Sequence, residues 1–559
     1  MPKEPMKKPI FTKPSEQLLD KMGGDTKHLL DPARGVYANR NLNLQKIDLI
    51  GFDMDYTLAI YKKLPMEQLQ YDLTLDRLIK EHQYPQEIAE LKYDASFIIR
   101  GLLVDKHTGH LLKINSHNRV KHACFGRRQL LESEIEAYYH NEKIRLSDSR
   151  FASLDTLFAM PEACLFANLV DFFQDLLLRS QNVAPVTLQR GDSPCEHVGF
   201  DTEKLFCDVR ESIDAIHRDG SLKTIITNDI GTYIEEDPDL PLMLHKFRSS
   251  GKKLFLLTNS YWAYTQKVME YLLDDKLQAY PDWQSYFDIA IVGGKKPGFF
   301  GKEVPFIELD TSQPGDGAGV EEDVTQFERG KIYQGGNIKD FERMANVQGA
   351  QVLYVGDHIY GDILRSRKDS LWRTCLIVEE LEQEIHGVMR WAFDVEKLSL
   401  LDSERQETDT AIGRHRALLA RMESLDTGTD GSVELDLNEE EELTQNIKNL
   451  TFEIDHAKRY LKYIDGLLAS HTDELERRFN PYWGRLLKEH NDLSRFGAQV
   501  VWFACTYTSR ASNFLRYSPV HCYKASRDSM SHDYILQESS AMRQVRQSKL
   551  TAGTLPPRT

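Results

Sequence analysis

Five short apolar runs constrain the fold of this chain more than any other feature. They are Ile47–Phe52, Lys253–Leu257, Ile289–Val292, Gln351–Val355 and Thr374–Val378, and helix-like segments such as Ala263–Leu273 and Ile338–Asn346 lie between them. A short apolar run bounded by turn residues reads as a buried strand. Strands alternating with helices predict an α/β fold, a Rossmann-like parallel sheet with right-handed crossovers. The first run ends in two carboxylates and a threonine, Asp53-Met54-Asp55-Tyr56-Thr57. Successive strand side chains point to opposite faces, so residues two apart share a direction. Two unpaired carboxylates at one site repel, which calls for a bound cation beside them. A divalent metal with a phosphate ester meets that need: one aspartate attacks phosphorus and the other shuttles a proton.

Three more polar motifs follow predicted strands: Thr258-Asn259-Ser260, Lys296 before Pro297, and Gly356-Asp357-His358-Ile359-Tyr360-Gly361-Asp362. In open parallel sheets ligands bind beyond the carboxyl ends of the strands, so all four sets converge there. Each alone is a weak signal, since Thr-Asn-Ser is a common helix cap and Gly-Asp a common turn. Four in order, each after an apolar strand, make a strong one.

With these residues the chain resembles the haloacid dehalogenase superfamily of phosphohydrolases, and within it the cytosolic purine 5′-nucleotidase family. The resemblance covers roughly residues 40–520. It is carried by Gly51 to Ala59, Asp208-Val209-Arg210, Gly220-Ser221-Leu222-Lys223 and Gly356 to Asp362. It implies a catalytic core of that superfamily with a large inserted α+β cap domain and a helical C-terminal extension. The expected division is an N-terminal arm (1–40, docked through Leu29-Leu30), a core (41–60 and 246–400), a cap (61–245), an extension (401–525) and a disordered tail (526–559).

The resemblance also implies site residues. Asp53 is the expected nucleophile, since a carboxylate forms an aspartyl-phosphate and splits one hard step into two. Asp55 protonates the leaving nucleoside and then activates water. Mg²⁺ is expected on Asp53, the Asp55 carbonyl and Asp357, because it prefers oxygen ligands and keeps several waters. Thr258, Asn259 and Ser260 are placed at the phosphate, and Lys296 neutralises its charge in the transition state. Asp362 is left two site roles, metal contact through water or orientation of Lys296, beside a plain helix cap. His358 is read as a packing or hydrogen-bonding histidine, because Mg²⁺ avoids imidazole. Lys295 is the alternative to Lys296, but the family's lysine directly precedes the proline.

In the insertion, Val209, Ile213 and Ile216 read as the buried face of a helix within Asp208 to Lys223. Off that face, Arg210 and Asp214 stand at i and i+4, a spacing that a surface ion pair also explains. The resemblance makes Arg210, Asp214, Phe158, His217 and Lys223 substrate contacts, with Phe158 stacked on a purine. Arginine donates to O6 or N7 and aspartate accepts from N1–H, so IMP and GMP are preferred to AMP, which has no N1–H. The chain departs from the family at Asp155, Ala159 and Arg218. A nucleotide effector site is matched only in part, by Arg145, Lys368 and Gln499; Trp502-Phe503 stand where an Arg-Tyr pair is expected, and a lost arginine removes a phosphate clamp.

The expected activity is Mg²⁺-dependent hydrolysis of purine nucleoside 5′-monophosphates, with nucleoside phosphotransferase activity where a nucleoside replaces water. The alternatives are a low-turnover binding or scaffold protein and a phosphatase for another phosphoester. A net charge of −16, from 70 basic and 86 acidic residues, argues against a nonspecific nucleic-acid partner. Seven scattered cysteines suit free thiols in a reducing cytoplasm. The Lys- and Pro-rich stretch Met1 to Met22 has no apolar core, and no long apolar run occurs, so neither signal peptide nor membrane span is expected. Residues 309–323, rich in Gly, Asp and Pro, read as an exposed loop. A heptad stripe at Ile447, Leu450, Ile454, Ala457, Leu461, Ile464 and Leu468 predicts a helix packed on the 404–424 segment or, alternatively, an intersubunit coiled coil. Glu439 to Glu442 read as its solvated start. The family's relatives form tetramers, so a homo-oligomer is expected.

Overall fold

The computed structural model describes residues 31–140, 143–181, 199–313, 315–320, 324–426, 436–490 and 492–525. The docking of Leu29-Leu30, the tail beyond 525 and most of the break at 426–431 lie outside them. The described residues form two compact units. One comprises 31–69, 215–382 and 499–525; the other comprises 70–214 and 383–498. Residues 61–69 and 215–245, expected within the insertion, thus lie in the first unit, and the long helices after 400 lie in the second.

The first unit is built on a ten-stranded sheet. The strand Leu49–Phe52 is central and pairs in parallel with Lys253–Leu257 on one side and Val352–Gly356 on the other. Ile289–Val292 and Ile332–Gly335 continue the sheet in parallel beyond Lys253–Leu257. Arg373–Ile377 and Thr506–Thr508 do so beyond Val352–Gly356. Antiparallel strands close both edges. The predicted runs are these strands, shifted by a residue or two at their ends. They are continuously apolar because a parallel sheet is covered on both faces. The expected loop at 309–323 departs from this pattern. Phe306–Asp310 and Ala318–Gly319 pair as a hairpin, whose polar, glycine-rich composition suits an exposed edge.

Aromatic residues pack one face of this sheet: Phe255, Phe299, Phe300, Phe306, Phe341, Tyr354 and Trp372 are all buried in one cluster. Gly51 makes room for it. Gly51 and Phe255 are register partners, and a Cβ on Gly51 would stand 2.0 Å from Phe255 Cζ.

The second unit holds a five-stranded antiparallel sheet. At its centre is the predicted hairpin, Leu102–Asp105 paired with His110–Ile114. The helix Met160–Gln181 contains the predicted Leu165–Leu178 segment. The helices Ala392–Asp426 and Leu437–Phe479 pack against each other, with Ile412, Leu450 and Ile454 buried between them and Leu419, Met422, Ala457 and Leu461 alongside. The heptad stripe is therefore covered from within the chain, as the simpler reading had it. Asp436 caps the second helix in a capping box with Glu439, which places Glu439 to Glu442 in its exposed first turns. No described helix is long and apolar enough to cross a membrane.

Gly51→Ala is expected to destabilise the first unit by about 1–3 kcal/mol, the cost of overpacking a filled core. The urea midpoint measures this, and Phe255→Leu in the same background is expected to recover part of the loss.

Candidate active site

The four polar motifs meet at the carboxyl edge of the ten-stranded sheet. Asp53 leaves the central strand with its backbone N–H donating to Val355 O (2.9 Å), and Thr258 N–H donates to Ile291 O (3.0 Å). Lys296 lies at the centre. Its Nζ is 2.9 Å from Asp53 Oδ1 and donates to Asp362 Oδ1 (2.7 Å) and Tyr354 OH (2.9 Å). An ammonium has three hydrogens, and three acceptors take them. The Tyr354 hydroxyl donates onward to Leu257 O (3.0 Å). Lys295 is exposed, and Lys296 is the buried one of the two, among the acids.

Electrostatics follow from that burial. Burial works against the Lys296 charge, but Asp362 and then Asp53 outweigh it and hold the ammonium well above the ordinary lysine value. Burial pushes the Asp53 carboxyl up; Lys296 opposes this, Asp362 and Asp55 add to it, and the group comes to about 8.

Two elements fix Asp362. A Cβ on Gly356 would stand 2.5 Å from Asp362 Oδ2, so only glycine lets the carboxylate tuck under the strand end. His358 N–H donates to the same oxygen (3.1 Å). His358 Nδ1 accepts from the N–H groups of Tyr360 (3.1 Å) and Gly361 (2.9 Å), so this histidine caps the turn Ile359–Leu364. Asp362 is thus inside the turn and bonded to Lys296, and the cap reading belongs to His358.

The second motif departs from a simple phosphate cradle. Asn259 Oδ1 accepts from Lys296 N–H (2.6 Å) and its Nδ2 donates to Lys296 O (3.0 Å). Its amide clamps the lysine's own peptide. Thr258 Oγ1 accepts from Ser260 N–H (3.0 Å), and Ser260 Oγ donates to Asp55 Oδ2 (2.9 Å). Lys223 Nζ reaches Ser260 Oγ at 3.4 Å. The other oxygen of Asp55 accepts from Tyr61 OH (2.6 Å).

One carboxylate oxygen from each of Asp53, Asp357 and Asp362 lies within 4.8 Å of the others, and all three residues are buried. These are hard oxygen donors, and two of the three acids, Asp53 and Asp362, share one buried lysine. The donor set therefore fits a divalent cation of the magnesium type. The Asp55 side chain is outside this group; its two oxygens accept from Tyr61 and Ser260.

In the second unit, Arg210 and Asp214 lie on the helix Thr202–Arg218, whose Val209, Ile213 and Ile216 are buried as predicted. The helix stops before Gly220, whose φ of +82° breaks the expected run to Lys223. Arg210 Nε pairs with Glu162 rather than with Asp214, and the guanidinium stands 5.2 Å from the centre of the Phe206 ring. Asp214 is exposed, and Phe158 sits half-buried in the turn Leu157–Ala159. His217, on the last turn of that helix, and Lys223 belong to the first unit. Of the departures, Asp155 and Ala159 are buried and Arg218 exposed. Of the effector matches, Arg145 is exposed and Gln499 Nε2 donates to Tyr360 OH (2.9 Å); the Lys368 side chain is outside the described set.

Sequence reasoning missed Tyr61, Tyr264, Tyr354 and Glu162. Tyr354 hides inside an apolar strand, and Glu162 inside an otherwise apolar helix start. Tyr61 lies six residues past Asp55 and carries no motif of its own.

A divalent cation is expected to displace a proton from Asp53 on binding, because the raised group holds that proton below pH 8. Titration calorimetry should show affinity rising by about tenfold per pH unit up to about pH 8 and levelling above it. A pH-independent affinity between 6 and 9 contradicts this.

The model of the 5′ nucleotidase family matches residues 36–535. A 5′-nucleotidase domain-containing protein of Dictyostelium discoideum is 30% identical over 514 residues, covering 91% of this chain and 76% of that protein. The 5′-nucleotidase domain-containing protein 2 of Homo sapiens is 32% identical over 383 residues, covering 66% of this chain and 68% of that protein. Among solved structures, a 2-haloacid dehalogenase from Pseudomonas syringae aligns over 62% of this chain and 99% of its own, at 13% identity and a TM-score of 0.21. So low a score carries no argument, and the fold rests on the strand order described above. The chain belongs to the 5′ nucleotidase family, a family of phosphoric monoester hydrolases.

Proposed function

We propose that the protein is a magnesium-dependent 5′-nucleotidase that hydrolyses purine nucleoside 5′-monophosphates to nucleoside and phosphate. The observation that carries the reading is Lys296, buried between Asp53 and Asp362 with the Asp357 carboxylate close by. A carboxylate able to attack phosphorus, acids able to hold a cation and a fixed positive charge share one small volume, which supports the reading.

The steps follow from the residue types. An oxygen of Asp53 attacks phosphorus as the bond to the nucleoside 5′-oxygen breaks. Asp55 gives its proton to that departing oxygen. Water then attacks the aspartyl-phosphate, its proton passes to Asp55, and the bond to Asp53 breaks to release phosphate. Lys296 stays charged throughout and balances charge on the phosphoryl oxygens. Asn259 holds the Lys296 peptide, so the lysine's approach is set before substrate arrives. Magnesium, held by Asp53, Asp357, the Asp55 carbonyl and Asp362, would supply further neutralisation of phosphoryl charge. A nucleoside in place of water would give phosphotransfer.

The purine preference is assigned to Arg210, Asp214 and Phe158. Arg210 is tied to Glu162 through Nε, which leaves its terminal nitrogens for a base acceptor. Exposed Asp214 accepts from N1–H of a 6-oxopurine.

Two variants test this reading. Asp53→Asn is expected to lower phosphate release from IMP by roughly 10³-fold or more, with the fold intact by circular dichroism; retained turnover in that variant removes Asp53 from the nucleophile role. Arg210→Ala is expected to raise KM for IMP and GMP about tenfold while sparing p-nitrophenyl phosphate. Equal losses on both substrates contradict base reading.

A further inference from the structure

The geometry points to Tyr61 and Tyr264 as positioning residues for Asp55, a pair of hydroxyls that holds its carboxylate in one orientation. The inference rests on the reading of Asp55 as acid and base. Neither tyrosine belongs to the four motifs.

Both side chains are buried, at 2% and 6% exposure. Tyr61 OH donates to Asp55 Oδ1 at 2.6 Å and lies 2.8 Å from Tyr264 OH, a contact in which either oxygen can donate. Ser260 Oγ holds the opposite oxygen at 2.9 Å. The terminal torsion of an aspartate is broad and sets no orientation by itself. A donor on each oxygen removes that freedom.

The tyrosines are themselves anchored. Tyr61 is paired in antiparallel register with Ile234, and the next N–H, of Lys62, donates to Tyr233 O at 2.7 Å. The Tyr61 ring packs 4.8 Å from the Tyr56 ring. Tyr264 lies on the helix Trp262–Leu273, and Lys223 Nζ stands 5.0 Å from its ring centre.

The second hydroxyl holds the first. A hydroxyl both donates and accepts. Tyr61 gives its hydrogen to Asp55 and can accept from Tyr264, so its oxygen is held from both sides.

The leaving group separates this role from a structural one. Departure of a nucleoside 5′-oxygen needs a proton from Asp55; departure of p-nitrophenolate does not. The ratio of kcat/KM also excludes hydrolysis of the aspartyl-phosphate, which comes after the first product leaves. In Tyr61→Phe, the ratio of kcat/KM for IMP to that for p-nitrophenyl phosphate is expected to fall by more than about threefold and by up to roughly 100-fold, a share of what general acid catalysis contributes. Tyr264→Phe is expected to lower the same ratio less, and it serves as the test if Tyr61→Phe does not fold. A ratio within about threefold of the unsubstituted protein in folded Tyr61→Phe, or an unchanged ratio in Tyr264→Phe where Tyr61→Phe does not fold, overturns the inference. Failure of the unsubstituted protein to release phosphate from either substrate defeats the functional reading instead.

Discussion

The ammonium of Lys296 is the interaction on which the rest of the site depends. It is buried, and a buried cation persists only when it is paired and fully hydrogen-bonded. Asp53, Asp362 and Tyr354 meet that demand. Each in turn depends on the lysine: without it, Asp53 and Asp362 would be like charges out of water with nothing between them. The pairing fixes the spacing of three strand ends at once, because Asp53, Lys296 and Tyr354 come from three strands or the turns that follow them. Removing one partner of such a group strands the others, which is costlier than never having buried them.

The division of labour between the two units follows the chain's own chemistry. The first unit is a parallel sheet with its polar residues gathered at one edge. Its core is aromatic, and it gives way to glycine where a ring needs the space. The second is an antiparallel sheet with helices whose stripe is closed from within the chain. Asp53, Asp55, Asp357, Asp362 and Lys296 all lie in the first, and Arg210 with its partner Glu162 lies in the second.

The sheet and the acidic and basic members of the site were legible in the sequence for one reason. Strands covered on both faces are unbroken apolar runs, so a charged residue at their ends stands out. Asp53, Asp357 and Lys296 are visible in that way. The hydroxyl partners are not, because Tyr61, Tyr264 and Tyr354 are as compatible with a core as with a site. Asn259 was legible as a site residue, but its target was not, since the Lys296 peptide comes near only through the parallel pairing of two strands. Glu162 was hidden by its apolar neighbours, and the i,i+4 spacing of Arg210 and Asp214 suggested a nearer partner. The hairpin at 306–319 was obscured by a glycine- and aspartate-rich composition that loops and edge hairpins share.

Gly356 shows how far the demands of the site reach. It has no functional group and lies at the end of a buried strand, yet the space a methyl group would need is held by the Asp362 carboxylate. A side chain there would press on that carboxylate and draw it off the lysine it steadies. The position is defined by emptiness, and filling it would disarm the centre as surely as deleting a charge.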